Sequence, residues 1–377
     1  MKLLINLSNH LGGGGLQVAL SFLSECRQIT DNEYHVFMSP NVARQVDRTS
    51  FGKNFFFYDI PSVPFWKLSR VLSPLEEQIR PDAVFTIFGP SYWRPKSKHL
   101  EGFARGYWIY PESSFFKMMD FCWKISYHLQ KNIKLFFFKK EADAYVVETD
   151  DANKRVRTLL GFDPVYTVSN TCGAQYFQPE PVAKKLPERQ PDEFRLLTVS
   201  AYYLHKNLEI IPSVIDILNN NPSGKNIRFV LTLKPEDYQK IIPLKYRDQV
   251  HNTGPVPAKE CPSLYRECDA MFLPTLLECF SANYPEAMAM ELPILTSDLD
   301  FAHSICRDAA LYFNPVDPKD AADKILKLAE DKLLRKHLAE KGKKRLTAFP
   351  SAQKRAEHYL ELCKMLSENI QNNTNLL

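Results

Sequence analysis

The sequence predicts an α/β protein with two Rossmann-like, doubly wound parallel-sheet domains. Three observations carry this prediction: a length of 377 residues, short apolar runs that alternate with amphipathic stretches, and a proline-rich segment near the middle. A single hydrophobic core rarely grows beyond about 250–300 residues, so a chain of this length is expected to divide. Strands that alternate with helices form parallel sheets covered on both sides. We therefore expect two domains of similar size that face each other across a cleft.

Nine short apolar runs are expected to form buried strands. Five come before the proline-rich segment: KLLINL (2–7), YHVFMS (34–39), NFFFYDI (54–60), AVFTIF (83–88) and AYVVET (144–149). Four come after it: RLLTVS (195–200), NIRFVLTL (226–233), AMFL (270–273) and PILTS (293–297). Amphipathic stretches such as LQVALSFLSEC, which begins at Leu16, lie between these runs and predict the covering helices.

The proline-rich segment 177–194 is expected to be an interdomain linker. It carries prolines at positions 179, 181, 187 and 191, with mixed charges and little to bury. It separates a first domain at residues 1–176 from a second at 195–350. A last helix, at about 351–370, starts at a Pro-Ser cap signal and presents Leu360, Cys363 and Leu366. We expect this helix to pack back on the first domain.

The composition excludes several classes of function. The 48 Lys and Arg and 44 Asp and Glu leave a net charge of only +4, too weak to indicate a nucleic-acid partner. The eight cysteines include no C-x-x-C pair, which favours a reduced compartment over a zinc site or disulfide framework. The first strand starts at Lys2, leaving no room for a signal peptide, and no apolar stretch approaches the ~20 residues that span a bilayer. A cytoplasmic protein, at most peripheral on a membrane, is expected.

Four consecutive glycines, Gly12 to Gly15, lie between the first strand and the first helix. A backbone without Cβ atoms approaches a phosphate closely, and the helix N-terminus offers N–H groups to it. The dinucleotide fingerprint fails, because Val18 stands where its third glycine belongs and the second strand ends in Met38-Ser39-Pro40, without a carboxylate. No G-K-[ST] follows, which excludes a P-loop. A turn without a ligand remains the alternative to a phosphate site.

The second domain places charged side chains after its strands. Lys206 follows the strand at 195–200, Glu278 lies in the loop after the strand at 270–273, and Glu286 lies in the first turn of the next helix. Ligands of open α/β sheets bind at such strand ends. Two carboxylates eight residues apart can accept hydrogen bonds from hydroxyls at both ends of a nucleotide sugar, while backbone N–H groups between them meet the diphosphate. The alternative is an exposed lysine, a surface glutamate and a glutamate that serves the helix dipole.

Together these residues resemble the retaining, nucleotide-sugar-dependent glycosyltransferases of family 4 (glycosyltransferases group 1). The resemblance rests on the Glu-x7-Glu spacing of Glu278 and Glu286, on Phe280 between them, and on EAMAMELPILTSD (286–298). Gly13 and Gly14 match the family's glycine pair, and Lys206 matches its phosphate-binding lysine. The segments VSNTCGAQYF (168–177) and HNTGPVPAKECPSLYRECDAMFLPT (251–275) resemble the family as well.

The resemblance implies the GT-B fold and a set of roles. Glu278 and Lys206 would be catalytic, with Glu278 on the transferred sugar and Lys206 on the leaving diphosphate. The implied donor-binding residues are Gly13, Gly14, Gly15, Phe280, Ser281, Ala282, Asn283 and Glu286, the last on the ribose. The resemblance implies a UDP- or GDP-sugar donor, transfer with retention and without a metal or other cofactor, and a glycan or lipid-linked glycan acceptor in cell-surface polysaccharide synthesis.

The sequence departs from the family at three positions. Ala201 stands where the family has a phosphate-binding arginine, which leaves Arg105 or His205 as substitutes. Leu292 or Glu291 replaces a glycine, and FGPSYW (88–93) follows the fourth strand where the family has a histidine. Two alternatives to a glycosyltransferase therefore stay open: a non-catalytic nucleotide-sugar-binding subunit, and a sugar-phosphate synthase or phosphorylase of the same fold.

Residues 112–143 predict a basic aromatic helix. Met118, Cys122, Ile125, Leu129, Ile133 and Phe136 recur at helical spacing and are expected to form a buried stripe. Lys117, Lys124 and Lys131 lie nearly opposite and are expected to face outward, against anionic lipid headgroups or a lipid-linked diphosphate acceptor. A core helix whose lysines are simply solvated is the alternative.

Overall fold

The computed structural model describes residues 1–9, 12–177 and 184–368. The chain divides into two compact units. The first unit comprises Met1–Ile109, Met119–Asn170 and the chain from Pro350 onward, and the second comprises Tyr110–Met118 and Thr171–Phe349. Within the described residues, no helix has both the length and the apolar character needed to cross a bilayer.

The first unit is built on seven parallel strands. They are β1 (Lys2–Leu7), β2 (Glu33–Met38), β3 (Phe55–Asp59), β4 (Ala83–Thr86), β5 (Lys98–Gly102), β6 (Ala144–Val147) and β7 (Val165–Thr167). Their order in the sheet is β3-β2-β1-β4-β5-β6-β7. The helices between them are α1 (Gly13–Cys26), α2 (Pro40–Ala43), α3 (Phe65–Ile79), α4 (Gly106–Ile109), α5 (Phe121–Glu141) and α6 (Asp150–Leu160). The strand order reverses between β1 and β4, where a doubly wound sheet has its switch point.

The second unit has six parallel strands in the order β10-β9-β8-β11-β12-β13. They are β8 (Phe194–Thr198), β9 (Ile227–Leu231), β10 (Val250–Asn252), β11 (Ala270–Leu273), β12 (Ile294–Ser297) and β13 (Ala310–Phe313). Its helices are α7 (Ile211–Leu218), α8 (Pro235–Ile241), α9 (Cys261–Arg266), α10 (Asn283–Ala289), α11 (Asp300–Cys306), α12 (Pro318–Glu330) and α13 (Lys332–Leu346). The switch point lies between β8 and β11. Apolar side chains of α7 and α12 form one core with β8, β9 and β11.

The last helix, α14 (Ala352–Ser367), lies in the core of the first unit. The Ser351 hydroxyl caps it by accepting a hydrogen bond from the Lys354 N–H at 3.1 Å. Tyr359 meets the rings of Phe22 and Phe85, with ring centres 5.7 and 4.9 Å away. The predicted end of this helix, Ile370, lies outside the described residues.

The predicted fold class is confirmed: both units are parallel α/β sheets with helices around them. All nine predicted strands are present, with ends that differ by at most two residues. Four strands were not predicted, namely β5, β7, β10 and β13. The sequence KHLEG of β5 is too polar to stand out as a buried strand, although β5 lies inside the sheet with β4 and β6 on its two sides.

The polar residues of β5 are buried because they find partners. The His99 Nδ1–H donates to the Glu141 carbonyl oxygen at 2.7 Å, and His99 Nε2 accepts from the Thr86 hydroxyl at 2.8 Å. Burial lowers the pKa of His99 to about 4, so the ring is neutral. The Glu101 carboxylate accepts a hydrogen bond from the Ser91 N–H at 2.7 Å. Hydrogen bonds of this kind allow polar groups to lie inside a sheet.

The predicted domain boundaries need two corrections. Tyr110–Met118 belongs to the second unit, although it lies deep within the predicted first domain, and the second unit starts again at Thr171 rather than after residue 176. In the predicted linker, residues 178–183 lie outside the described part, and residues after them are fixed to the second unit. The Arg189 guanidinium pairs with Asp269 at 2.7 Å, and the Leu186 N–H donates to Glu267 at 3.0 Å.

The predicted orientation of α5 is wrong. The stripe expected to be buried is exposed: Leu129 by 62%, Phe136 by 55%, Ile125 by 54%, Met118 by 47% and Ile133 by 44%, and Cys122 is exposed too. The helix also begins later than predicted, at Phe121, after the Asp120 side chain accepts from the Trp123 N–H at 2.7 Å. Periodicity predicts two unlike faces but not which one packs inward. Here aromatic rings and lysine stems cover the inner face.

Candidate active site

The candidate site lies at the switch point of the second unit, where the loops after β8 and β11 leave the same edge of the sheet. The Leu276 N–H donates to the His205 carbonyl oxygen at 2.7 Å, and the Thr275 hydroxyl donates to the same oxygen at 3.1 Å. These two bonds join the loops directly. Asn207, in a left-handed conformation with φ of 56°, connects the loop after β8 to the segment after β13 by donating to the Pro315 carbonyl at 2.7 Å.

Lys206 and Glu278 form an ion pair across these loops. Lys206 ends a 3-10 turn, Leu204–Lys206, and Glu278 follows β11 by five residues. The Thr275 hydroxyl oxygen also lies 3.3 Å from Glu278 Oε1. Both charged side chains are only 12% exposed. Because partly desolvated charges interact more strongly than exposed ones, the pair fixes an ammonium and a carboxylate side by side at a ligand-binding edge.

Glu286 lies in the first turn of α10 and faces neutral donors. The Tyr265 hydroxyl donates to Glu286 Oε2 at 2.7 Å, and the Asn283 amide donates to it at 3.1 Å. No cation lies within 4.0 Å of this carboxylate among the described residues. Burial raises the pKa of Glu286, although the hydrogen bonds oppose this rise. A half-buried carboxylate held by hydroxyl and amide donors is suited to bind further neutral hydroxyls.

Residues 280–283 connect the loop that holds Glu278 to the first turn of α10. The backbone N–H groups of residues 280–283 donate to no acceptor within the described residues. Phe280 is half-buried and meets the ring of Phe349, with ring centres 6.1 Å apart. Ser281 is buried, and its hydroxyl donates to the Asn283 side-chain oxygen at 3.3 Å. Ala282 precedes α10 as its cap residue and presents no side chain beyond Cβ.

Tyr265 and Ser113 were not predicted as site residues. Tyr265 lies on α9, is almost fully buried, and supports Glu286 through its hydroxyl. Ser113 belongs to the segment Tyr110–Met118, and its hydroxyl donates to the Leu276 carbonyl oxygen at 2.7 Å. Tyr265 lies in the segment 251–275, which resembles the glycosyltransferase family, so the sequence contains a signal by which this residue could have been found. Ser113 lies 163 residues from its partner, and no local pattern reveals that contact.

His205 cannot replace the missing arginine as a cation. Burial lowers the pKa of His205 to about 4, despite the nearby charge of Glu278, so the ring is neutral near pH 7. Arg105, the other candidate, belongs to the first unit, where its guanidinium donates to the Gly89 carbonyl oxygen at 3.3 Å. Lys206 is therefore the cation that the described residues bring next to Glu278.

The glycine loop lies at the switch point of the first unit. Gly12 is the cap residue of α1, and Gly13 has φ of 51°, a conformation that favours glycine. A Cβ on Gly14 would meet nothing within 4 Å. Gly15 continues α1, and the first turn of this helix holds no acidic side chain. His10 and Leu11 lie outside the described residues. The roles of these glycines in donor binding stay predictions.

The three predicted acceptor-side lysines do not form one row. Lys117 ends the 3-10 turn Ser114–Lys117 and belongs to the second unit. Lys124 and Lys131 lie on α5 in the first unit, and both are half-buried rather than fully outward. The helix that was expected to carry all three begins only at Phe121, which is why Lys117 is separated from the others.

The fold and the site together define a class: a two-unit α/β protein of the kind found in GT-B glycosyltransferases. The family model described as glycosyl transferases group 1 matches residues 181–345. The predicted resemblance to glycosyltransferases group 1 is confirmed over this part of the chain, which is less than half of its length and includes Lys206, Glu278 and Glu286. Sucrose-phosphate synthase from Thermosynechococcus elongatus has a similar fold, with a TM-score of 0.72 and 16% identity over 98% of this chain and 99% of that one.

Two further proteins are similar to this chain. HepE from Anabaena, solved in complex with UDP and glucose, gives a TM-score of 0.69 at 14% identity, covering 97% of this chain and 99% of that one. O-antigen chain mannosyltransferase RfbU of Salmonella typhimurium is 28% identical over 137 residues. That alignment covers 35% of this chain and 37% of the relative, so it spans less than half of either protein.

Proposed function

We propose that this chain is a retaining glycosyltransferase that moves a sugar from a nucleoside-diphosphate sugar to a glycan or lipid-linked glycan. The observation that carries the proposal is the Lys206–Glu278 ion pair at the switch point of the second unit. In this pair, Lys206 is the cation proposed for the leaving diphosphate and Glu278 is the carboxylate proposed for the sugar hydroxyls. Glu278 lies eight residues before Glu286. The match of this segment to glycosyl transferases group 1 supports the same conclusion.

The ion pair suits the charge changes of glycosyl transfer. When the bond between sugar and diphosphate breaks, negative charge grows on the departing phosphate oxygen. Lys206 and the backbone N–H groups of residues 280–283 are donors that would stabilise this charge without reorganising. The bond to the acceptor hydroxyl would form on the same face of the ring, which retains the anomeric configuration. We propose that Lys206 supplies the positive charge for which other enzymes use a metal ion.

Donor recognition would rest on Glu286 and Glu278. Glu286 already accepts hydrogen bonds from a phenol and an amide, so the two ribose hydroxyls are donors of the kind it binds. When the donor binds, Glu278 would accept hydrogen bonds from the sugar hydroxyls in addition to, or partly in place of, its contact with Lys206. We propose a UDP- or GDP-sugar as the donor. UDP is favoured because the similarly folded HepE was solved with UDP and glucose.

The acceptor is proposed to belong to cell-surface polysaccharide synthesis on the cytoplasmic side of a membrane. The similarity to an O-antigen chain mannosyltransferase supports this class of acceptor. We further propose that the exposed apolar face of α5, formed by Phe121, Ile125, Leu129, Ile133 and Phe136, rests on anionic lipid. Helix α5 carries five lysines and one acid, Glu141 at its last position, which gives this helix the charge that an anionic surface attracts.

Donor binding and product analysis test the catalytic proposal. The purified chain is screened by thermal shift against UDP-, GDP- and ADP-sugars, and we expect one nucleotide class to raise the melting temperature. NMR of the product formed with that donor then reports the anomeric configuration. We expect retention, and activity that survives EDTA. Inversion at the anomeric carbon would refute the mechanism. Release of free sugar phosphate would instead favour a phosphorylase or sugar-phosphate synthase, and binding without turnover would favour a non-catalytic subunit.

Vesicle co-sedimentation tests the membrane contact. The wild-type chain is expected to sediment with vesicles that contain anionic phospholipid, and the Ile125→Asp/Leu129→Asp variant is expected to stay in the supernatant. Leu244→Asp is the matched control, because Leu244 is 77% exposed but belongs to the second unit. Equal sedimentation of the wild type and the α5 variant would contradict the contact.

A further inference from the structure

A cavity of about 190 Å³ lies in the first unit, between α5 and the segment around α4. It is lined by three basic side chains, Arg105, Lys131 and Lys134, and by aromatic rings that include Trp108 and Trp123. The lining contains no Asp or Glu. The cavity belongs to a different unit from Lys206 and Glu278. Two residues of its lining were discussed above: Arg105, which the sequence suggested only as a substitute cation, and Lys131, which it suggested on the acceptor side.

The three cations around this cavity have no acidic partner in the part of the chain that the structure describes. No carboxylate of the described residues lies within 4.0 Å of the charged nitrogens of Arg105, Lys131 or Lys134. Lys131 and Lys134 are half-buried. Burial lowers the pKa of both lysines, and the charge of Arg105 lowers that of Lys134 further. Like charges gathered beside a cavity repel one another, and an anion between them would relieve this repulsion.

The aromatic side of the cavity is rigid and partly apolar. The rings of Trp123 and Tyr127 stack with centres 5.2 Å apart and an interplanar angle of 7°. The Tyr127 hydroxyl donates to the Tyr107 carbonyl oxygen at 2.5 Å, which fixes that ring against the wall opposite α5. The Arg105 guanidinium lies 5.9 Å from the centre of the Trp108 ring. Such walls bind flat or apolar surfaces, while the cations bind charge.

We propose that this cavity binds the phosphate or diphosphate group of a phosphate ester whose remaining part, a sugar or a prenyl chain, lies against Trp123 and Tyr127. Lys131 and Lys134 approach from adjacent turns of one helix, and Arg105 approaches from the facing segment. A phosphate group has enough acceptor oxygens to bind all three cations. A carboxylate ligand would satisfy fewer of them, and a neutral glycan would leave the repulsion among the cations unrelieved.

The identity of the ester rests on the proposed function. A glycosyltransferase that elongates a lipid-linked glycan needs a place for the phosphate that joins glycan and lipid, and the same α5 that lines the cavity presents the proposed lipid-facing surface. A free sugar phosphate has the same anionic chemistry. The cavity would thus be an acceptor subsite in the first case and a site for a soluble sugar phosphate in the second.

Tryptophan fluorescence of the full-length chain measures binding, because Trp108 and Trp123 line the cavity. The probes are inorganic pyrophosphate, farnesyl diphosphate and glucose 1-phosphate. We expect Lys131→Ala/Lys134→Ala to weaken binding of the preferred probe by at least about tenfold, because the loss of even one of the two charge-assisted hydrogen bonds has an effect of that size. The matched control is Lys67→Ala/Lys154→Ala, which removes two exposed lysines elsewhere in the first unit and is expected to bind within about twofold of the wild type.

The three probes distinguish the sources of the phosphate. Tightest binding of farnesyl diphosphate supports a lipid-linked ester, tightest binding of glucose 1-phosphate supports a free sugar phosphate, and equal binding supports a site for the shared phosphate group. Equal affinities of the two double variants, or no binding of any probe by the wild type, would overturn the proposal. Donor-sugar binding is measured in parallel: its absence in the wild type would reject the proposed function while leaving the phosphate site intact.

Discussion

The two units hold their basic side chains in different ways. In the second unit, Lys206 is paired with Glu278 and tied into loops that hydrogen bonds join at the switch point. In the first unit, Arg105, Lys131 and Lys134 surround a cavity and have no acidic partner within the described residues. A paired cation is oriented by its acidic partner, whereas an unpaired cluster is stabilised by the anion it binds. This difference is the basis of the two proposals, a catalytic cation in the second unit and an anion-binding cavity in the first.

The two units also differ in how much of their structure could be predicted from the sequence. The strand ends of a parallel sheet meet at one edge, so Lys206 and Glu278 come together once the strands are known. The face that α5 buries depends on what packs against it, and periodicity does not contain that information. The following tests, in order of expected effect, examine both sides of this comparison.

Two substitutions on α5 test which face of the helix is buried. Phe138 is fully buried against Phe103 and Trp108, and Phe138→Ala is expected to cost about 3–5 kcal/mol of unfolding free energy. Leu129 is 62% exposed, and Leu129→Ala is expected to cost less than about 0.5 kcal/mol. Chemical denaturation measures both. If Leu129→Ala instead lowered the unfolding free energy by about 2–5 kcal/mol, the result would support the buried stripe that the sequence predicted.

Lys206→Ala tests the paired cation. It removes the group proposed to stabilise the leaving diphosphate, and we expect turnover to fall by about 10²–10³. Steady-state transfer assays with the donor identified by thermal shift measure this loss. The control is Lys343→Ala, which breaks an exposed ion pair with Glu291 in the same unit, 2.6 Å long. The turnover of the Lys343 variant is expected to match that of the wild type. If the Lys206 variant also kept wild-type turnover, Lys206 would have no role in the mechanism.

Glu286→Gln tests donor binding. Hydrogen bonds to a charged acceptor contribute about 1.5–3 kcal/mol, so we expect calorimetry to show donor affinity about 10–150-fold weaker. Because the pKa of Glu286 is raised, wild-type affinity is expected to fall as the pH drops from neutral toward that pKa, and the variant should lack this dependence.

The control for Glu286→Gln is Asp216→Asn. It alters a similar phenol–carboxylate contact, in which Tyr246 donates at 2.6 Å, elsewhere in the second unit. Its donor affinity is expected to stay at the wild-type value. An unchanged affinity of the Glu286 variant would remove this residue from the donor site.

Glu141→Gln tests the smallest expected effect, a pH dependence confined to the first unit. Burial raises the pKa of Glu141 to about 7, above its ordinary value near 4.3, so its stabilising contribution is complete at low pH and is lost as the pH rises through 7. We expect the wild type to melt about 2–4 °C lower at pH 8.5 than at pH 6.5, the shift that ~1 kcal/mol produces. The variant should show a smaller difference, and an equal difference in both proteins would contradict the assignment.

Much of the fold was predictable because buried parallel strands are short apolar runs with clear ends. The exceptions are instructive. β5 contains His99 and Glu101, whose burial depends on Thr86, Ser91 and the end of α5. Of the candidate site, Lys206, Glu278 and Glu286 were predictable from position and spacing. Ser113 was not, because its contact with Leu276 joins segments that are 163 residues apart.

The amino-acid sequence alone determined where the strands lie and which acidic and basic residues follow them, since both are local properties of hydrophobic pattern and spacing. Only the tertiary structure decided which face of α5 is exposed, that Tyr110–Met118 joins the second unit, and that Arg105 meets Lys131 and Lys134 around one cavity. These features depend on which distant surfaces pack together. The free energy of that packing is a property of the whole chain and not of any segment within it.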